Sequence, residues 1–183
     1  MKFIGHNIVA ITLSVTFSVF VSLVPAEGRA VYAAAGLGID GITVGYSTKN
    51  SVTSKYGDDY VLIEHDHYSY EIRYRNTGMS FWYRYEDPEQ RIFSIALRPE
   101  SRAFTGRGIV VGRSSLKDVF NAYGKSDPST TNTAETWFFE YQGIKFHIEY
   151  KSSDKPLVPE KLIKRRVIEI EIVAMDPELR LAK

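Results

Sequence analysis

The chain has 183 residues, with 23 Lys and Arg against 22 Asp and Glu, and no cysteine. These counts exclude a disulfide framework, a cysteine-based zinc site, a thiol nucleophile and a lipid-bearing cysteine. A formal net charge of +1 argues against a general polyanion binder, while 44% hydrophobic and 13% aromatic residues suffice for a core.

The first element in chain order is an export signal. Lys2 is the one full charge before Glu27, and Ile8 to Val24 is an unbroken run of apolar and Ser/Thr residues. Pro25-Ala26 and then Glu27-Gly28-Arg29-Ala30 follow. A basic start, an apolar stretch and small residues at a cut site define a secretory signal peptide, here 1–26, cleaved after Ala26 with Ala30 as second choice. The rival is an uncleaved anchor. As a helix the run spans about 25 Å, short of the roughly 30 Å hydrocarbon core, and Thr12, Ser14, Thr16, Ser18 and Ser22 weaken insertion. The expectation is an exported chain, secreted or periplasmic and not a lipoprotein. It meets a membrane only if the N-terminal segment is uncleaved.

Residues 27–37 read as a flexible N-terminal tail. Beyond them the sequence repeats itself. Gly41-Ile42-Thr43-Val44-Gly45-Tyr46-Ser47 matches Gly108-Ile109-Val110-Val111-Gly112-Arg113-Ser114. The match, offset by 67 (108 − 41), continues through Val52/Val119 to Tyr56-Gly57/Tyr123-Gly124. Each copy reads as an extended lead-in followed by a short helix. Ser47 or its neighbour Thr48, and Ser114 or its neighbour Ser115, suit the N-cap, and Ser115 to Asp118 is close to a capping box. Leu116, Val119, Phe120 and Tyr123 form a helical stripe, and Gly57 and Gly124 suit the residue that ends a helix.

After each helix the apolar period changes to two. In the first copy Tyr68–Arg75 alternates, Asn76-Thr77-Gly78 turns the chain and Met79–Tyr85 returns. In the second, Trp137–Tyr141 runs to the Gln142-Gly143 turn and Ile144–Tyr150 returns. Both are hairpins by composition and turn chemistry. Each copy adds a strand, Arg91–Leu97 and Val167–Val173. The expected fold class is α+β: two tandem helix-plus-antiparallel-sheet repeats, 38–100 and 101–177, sharing or extending one sheet, with 178–183 as a C-terminal tail.

Strand parity separates two faces. Tyr70, Ile72 and Tyr74, with Phe81, Tyr83 and Tyr85, form a core set. So do Trp137, Phe139 and Tyr141, with Ile144, Phe146, Ile148 and Tyr150, and Ile168, Ile170 and Ile172. The opposite face holds Glu71, Arg73, Arg75, Trp82, Arg84 and Arg98 in the first copy. In the second it holds Phe138, Glu140, Lys145, His147, Glu149, Glu169 and Glu171. The plain reading is a solvated face with cross-strand charge pairs. The functional reading is a partner-binding surface anchored by Trp82, Arg73, Arg75, Arg84 and Phe138, since Trp and Arg dominate interface hot spots. One Trp is too few for a base-stacking platform, so nucleic acid is not an expected partner.

Catalytic constellations are sparse. His65 and His67 are weak metal candidates: on a strand they would point the same way, but no third ligand is identifiable. His147 with Glu149 reads as an exposed pair. Gly36-Leu37-Gly38-Ile39-Asp40-Gly41 matches GxGxxG, but a strand and not a helix follows it. Ser47 and Ser114 are explained by capping, and Lys164-Arg165-Arg166 by a solvated strand start. No nucleophile–base pair emerges, so the expectation is a non-enzymatic protein without a cofactor.

The Gly-Ile-x-Val-Gly-x-Ser…Val…Tyr-Gly unit followed by antiparallel strands resembles the SmpA/OmlA (BamE-like) envelope modules and the β-lactamase-inhibitor-protein-like fold. That resemblance, over about residues 38–174, implies an exported tandem duplication that acts as a binding module. The inhibitor family presents a concave aromatic-rich sheet to an enzyme, and SmpA-like modules join an outer-membrane assembly complex. The chain departs from both, lacking the inhibitors' disulfides and the lipoproteins' lipid-accepting cysteine. The expected function is therefore an exported protein-binding module whose partner is a protein or cell-envelope component. The alternative is an envelope metal or small-ligand binder using His65 and His67.

Overall fold

The computed structural model describes residues 29–130, 137–149 and 162–175. The expected signal peptide at 1–26 and C-terminal tail at 178–183 lie outside them. Among the described residues, no helix is long and apolar enough to cross a membrane. The chain begins with three two-residue strands, β1 (Tyr32–Ala33), β2 (Gly38–Ile39) and β3 (Ile42–Thr43), followed by helix α1 (Lys49–Tyr56). Next come β4 (Val61–Glu64), β5 (Ser69–Tyr74), β6 (Met79–Arg84), β7 (Ile92–Leu97) and the short β8 (Phe104–Thr105). Helix α2 (Leu116–Tyr123) precedes β9 (Pro128–Thr130), β10 (Trp137–Tyr141), β11 (Ile144–Ile148) and β12 (Val167–Val173).

Both helices start as their sequences dictate. The Thr48 and Ser115 side chains each accept the backbone N–H three residues on, and the side chains of Ser51 and Asp118 return the bond. These reciprocal boxes satisfy two amide donors that a helix start otherwise leaves unpaired. The helices end at Gly57 and Gly124, whose carbonyls accept hydrogen bonds from the Tyr74 and Tyr141 hydroxyls at 2.6 and 2.7 Å. A strand tyrosine thus pins each helix end to the sheet. Burial, which disfavours the phenolate, pushes both tyrosines up to about 12.

Strands β4-β5-β6-β7-β12-β11-β10-β9 form one eight-stranded sheet in which every neighbouring pair is antiparallel. The β7–β12 pair at its centre joins strands far apart in sequence, with Leu97 opposite Ile170 and Ile95 opposite Ile172. The helices cover one face. There Ile72, Phe81, Ile95, Phe139, Phe146 and Ile170 are fully buried with Val52 of α1 and Leu116 and Val119 of α2. Ring contacts extend this core: Tyr56 on Phe81, Phe120 on Phe139 and Tyr123 on Phe146.

The structure overturns the expected α+β arrangement of two helix-plus-sheet repeats. The molecule is mostly β, with a single continuous eight-stranded antiparallel sheet and, among the described residues, two eight-residue α-helices. Each helix is only about two turns long. Helix α1 buries Val52 alone, and α2 buries Leu116 and Val119. Helices this short depend on the sheet for their stability and do not form a layer of their own. The sequence reading also missed β4, the edge strand, and the small pairings of β1 with β8 and β2 with β3.

The expected flexible tail at 27–37 also needs correction in its described part. Val31 and Ala33 are buried, and β1 pairs in parallel with β8. The GxGxxG glycines serve turns. Gly38 has φ +142°, and a Cβ there would lie 1.9 Å from the Ile42 carbonyl oxygen across the tight β2–β3 hairpin.

Two bulges correct the assigned faces. The register shifts between Trp82 and Tyr83, which oppose Ser94 and Ile92, so Phe93 is the extra residue on β7. It shifts again between His147 and Ile148, which oppose Glu169 and Val167, leaving Ile168 extra on β12. Val167 is therefore buried and Ile168 only half-buried, and Tyr85, expected in the core, is exposed. A bulge lets two residues on one strand oppose one on its neighbour, and so resets the alternation.

Candidate functional site: a polar chain across the open sheet face

The face turned away from the helices carries charged residues that are not solvated. Glu71, on β5, has 0% exposure, as does Ser80 opposite Arg73 on β6, and His147 has 8%. A buried carboxylate is tolerated only when its lone pairs are satisfied, and Glu71 meets that condition. It is ion-paired with the Arg73 guanidinium, His65 Nε2 lies 2.9 Å from its Oε2, and the Ser80 hydroxyl nearby also favours its charged form. Burial pushes the Glu71 carboxyl up, but Arg73, His65 and Ser80 together outweigh it and hold the group below its usual range.

The chain continues across the sheet. Arg98 Nη1 donates to Ser80 Oγ at 2.6 Å, and Arg98 Nε lies 3.1 Å from Glu169 Oε2 on β12. His147, on β11, sits between two carboxylates of β12: its Nε2 is 3.8 Å from Glu169 and 3.1 Å from Glu171. Lys145 Nζ lies 3.5 Å from Glu171, and Ser94 Oγ donates to Glu171 at 2.8 Å from β7. One polar path, Glu71–Ser80–Arg98–Glu169–His147–Glu171, therefore crosses five adjacent strands from β5 to β11.

The two β12 carboxylates respond oppositely to this setting. Burial raises Glu169 despite the attraction of His147 and Arg98, and the negative charges of Glu171 and Glu71 add to the rise. Burial also penalises Glu171, but His147, Lys145 and Ser94 overcome it and hold its carboxyl at about 2. An ionised carboxylate only accepts hydrogen bonds, so His147 Nε2 carries the proton in this contact.

Aromatic groups flank the chain at both ends. Trp82 stacks on the His65 ring at 4.1 Å and meets Phe93 edge-on at 6.4 Å. The Arg84 guanidinium lies 5.1 Å over Phe93 and 3.7 Å from Glu86. At the other end Phe138 leans on His147 at 5.5 Å, with Lys145 Nζ 5.3 Å from its ring centre. Trp82 and Phe138 sit four strand steps apart, roughly 19 Å at sheet spacing.

Of the expected anchors, Trp82, Arg73, Arg84 and Phe138 share this face. Arg75 does not: it opens an exposed 3-10 turn, Arg75–Thr77, after β5 has ended at Tyr74. The two metal candidates do not act together. His65 follows the last residue of β4 and is engaged by Glu71, whereas His67 lies in the exposed bend before β5. Among the described residues, no group of three or more His, Cys, Asp or Glu is placed to hold a metal ion. His147 pairs across strands with Glu169 and Glu171, not with Glu149, whose backbone N–H donates to the Arg166 carbonyl.

What the sequence reading missed was the burial of these charges and the role of Ser80, Ser94 and Arg98 in linking them. The available signal was the Glu169-x-Glu171 pair on one strand and Lys145-x-His147 on another, spaced to face each other once paired.

No protein-family model matches the chain, and no curated protein matches it. Among solved structures it is similar to a DUF4309 family protein, YjgB, from Bacillus subtilis. The identity is 12% and the TM-score 0.47, over 76% of this chain and 88% of that one. A likeness that distant carries no argument about this protein.

Proposed function

We propose that the polar sheet face is the contact surface of an exported, non-enzymatic binding protein whose partner is a protein or cell-envelope component. The observation that carries this reading is the fixed presentation of Trp82 and Arg84. The tryptophan is held between His65 and Phe93, and the arginine rests on Phe93, yet both stay partly accessible. Side chains already locked in place lose little rotamer freedom on association, so more of their contact energy appears as affinity. Trp and Arg are also the residues that most often dominate interface energetics.

The remaining charges are matched within the face. Glu71, Glu169 and Glu171 are matched internally by Arg73, Arg98, His147 and Lys145, so a partner would meet a face with few uncompensated charges to desolvate. Phe138, about 19 Å from Trp82, gives a second apolar contact within the reach of a standard interface. In this reading the face binds and does not catalyse.

The test is recovery of partners from the source organism's envelope and culture medium on immobilised protein. A Trp82→Ala/Arg84→Ala variant that keeps its fold should lose partners the natural chain retains. Unchanged recovery removes the sheet face from consideration.

A further inference from the structure

A second site lies on the helix side of the sheet, away from the polar face. A cleft of about 430 Å³ opens between β1, the loop after β8, the end of α2 and the β10–β11 turn. Its walls are three tyrosines, Tyr32, Tyr123 and Tyr141, with the last two rings 5.2 Å apart. Its lining includes small residues: Ala33 is buried, and at the exposed Gly106 a Cβ would lie 2.8 Å from the Tyr32 hydroxyl. Arg107 and Gln142 bring the polar groups. Aromatic walls with a few placed polar groups are the usual make-up of a small-molecule site.

Arg107 is the decisive residue. Its guanidinium lies 4.7 Å over the Tyr123 ring, and Nη1 donates to the Ala122 carbonyl at 2.9 Å. The ring and the carbonyl fix the plane of the fork. Among the described residues, its other N–H groups have no hydrogen-bonded acceptor, and no acidic side chain lines the cleft. A fixed guanidinium with donors to spare, beside aromatic faces, suits a planar anion joined to a ring. Tyr32, on the outer wall, is 47% exposed, so a ring can enter and lie against it.

The geometry points to a binding site for a small ring-bearing carboxylate, its carboxylate on Arg107 and its ring among Tyr32, Tyr123 and Tyr141. Either a uronic sugar, through its CH face, or an aryl carboxylic acid carries this chemistry. Titration calorimetry and ligand-observed NMR with glucuronate and with phenylacetate separate the two, with methyl glucoside as the uncharged control.

At least one carboxylate should bind with a millimolar or lower Kd, as ligands of this size do, and methyl glucoside should bind at least about tenfold more weakly. Arg107→Gln should weaken the carboxylate at least about tenfold through loss of charge-assisted bonds, in a chain that circular dichroism shows to be folded. Tyr32→Ala, which removes an exposed wall, should weaken it as well. No binding of either acid up to about 20 mM overturns the proposal, as does a Kd that Arg107→Gln leaves unchanged.

Discussion

Replacing Glu171 by Gln keeps its shape and removes its charge at the β11–β12 end of the polar chain. The carboxylate is 19% exposed and meets His147, Lys145 and Ser94 from three directions. Its carboxyl is held at about 2, against an ordinary 4.5. That gap corresponds to ~3 kcal/mol of native-state stability at neutral pH, and Gln should lose ~2–3 kcal/mol of it. With a urea dependence of ~2 kcal/mol per molar for a chain of this size, the unfolding midpoint should fall by about 1 M at pH 7.

The pH dependence is the sharper test. A carboxyl lowered by folding contributes stability that is fully present above about 4.5 and is lost as pH falls toward about 2. The gap between natural chain and variant should therefore narrow on acidification, to less than half by pH 3. Glu169 works in the opposite sense. Its raised pKa means that ionisation at neutral pH costs stability, and acid relieves that cost. Losing the neighbouring negative charge in the variant should bring Glu169 down. Urea titrations followed by tryptophan fluorescence at several pH values measure both effects. A gap under ~0.5 kcal/mol at pH 7, or one that stays constant on acidification, would refute the reasoning.

Two further substitutions test the packing. The Tyr83 hydroxyl is fully buried and, among the described residues, has no hydrogen-bond partner, and burial pushes it well above the ordinary tyrosine range. Tyr83→Phe removes an unsatisfied polar group without changing shape, so it should raise stability by ~1 kcal/mol; a loss of that size in thermal unfolding would show a partner at work. Gly143 has φ +74°, and a Cβ there would lie 2.4 Å from the Gly36 backbone nitrogen, whose N–H donates to the Gly143 carbonyl. Gly143→Ala should cost ~2 kcal/mol or more by chemical denaturation, and a neutral result would mean that the N-terminal segment does not dock on this turn.

Much of the core was legible because strand periodicity is local. Ile72, Phe81, Phe139, Ile144 and Phe146 follow from alternation alone, and all are fully buried. The helix starts were legible for the same reason, since a capping residue and its partner lie three positions apart. The architecture was not. Whether two sheets form or one depends on β7 pairing with β12, and the Ser94–Glu171 bond spans 77 residues. No local pattern encodes that join. The bulges at Phe93 and Ile168 were hidden because each resets a parity that was assumed to be unbroken.

The site was half legible. Parity placed Trp82, Arg73, Arg84 and Phe138 on one face, but it carried Arg75 past the end of its strand into a turn. It also left the charges in solvent. Glu71 is enclosed by His65, Arg73 and Trp82 from its own and neighbouring strands, and His147 by Phe138, Glu169 and Glu171, and single-strand patterns do not show which residues meet across strands.

The central claim is that partners meet the face bearing Trp82. A photo-reactive phenylalanine analogue at Phe93, beside Trp82, and the same probe at exposed Ser54 on α1 sample the two sides of the molecule. Irradiation in the source organism's envelope and medium should give a discrete adduct from position 93 and none from position 54, and Trp82→Ala should abolish it. An adduct that forms equally from both positions, or only from position 54, would contradict the account.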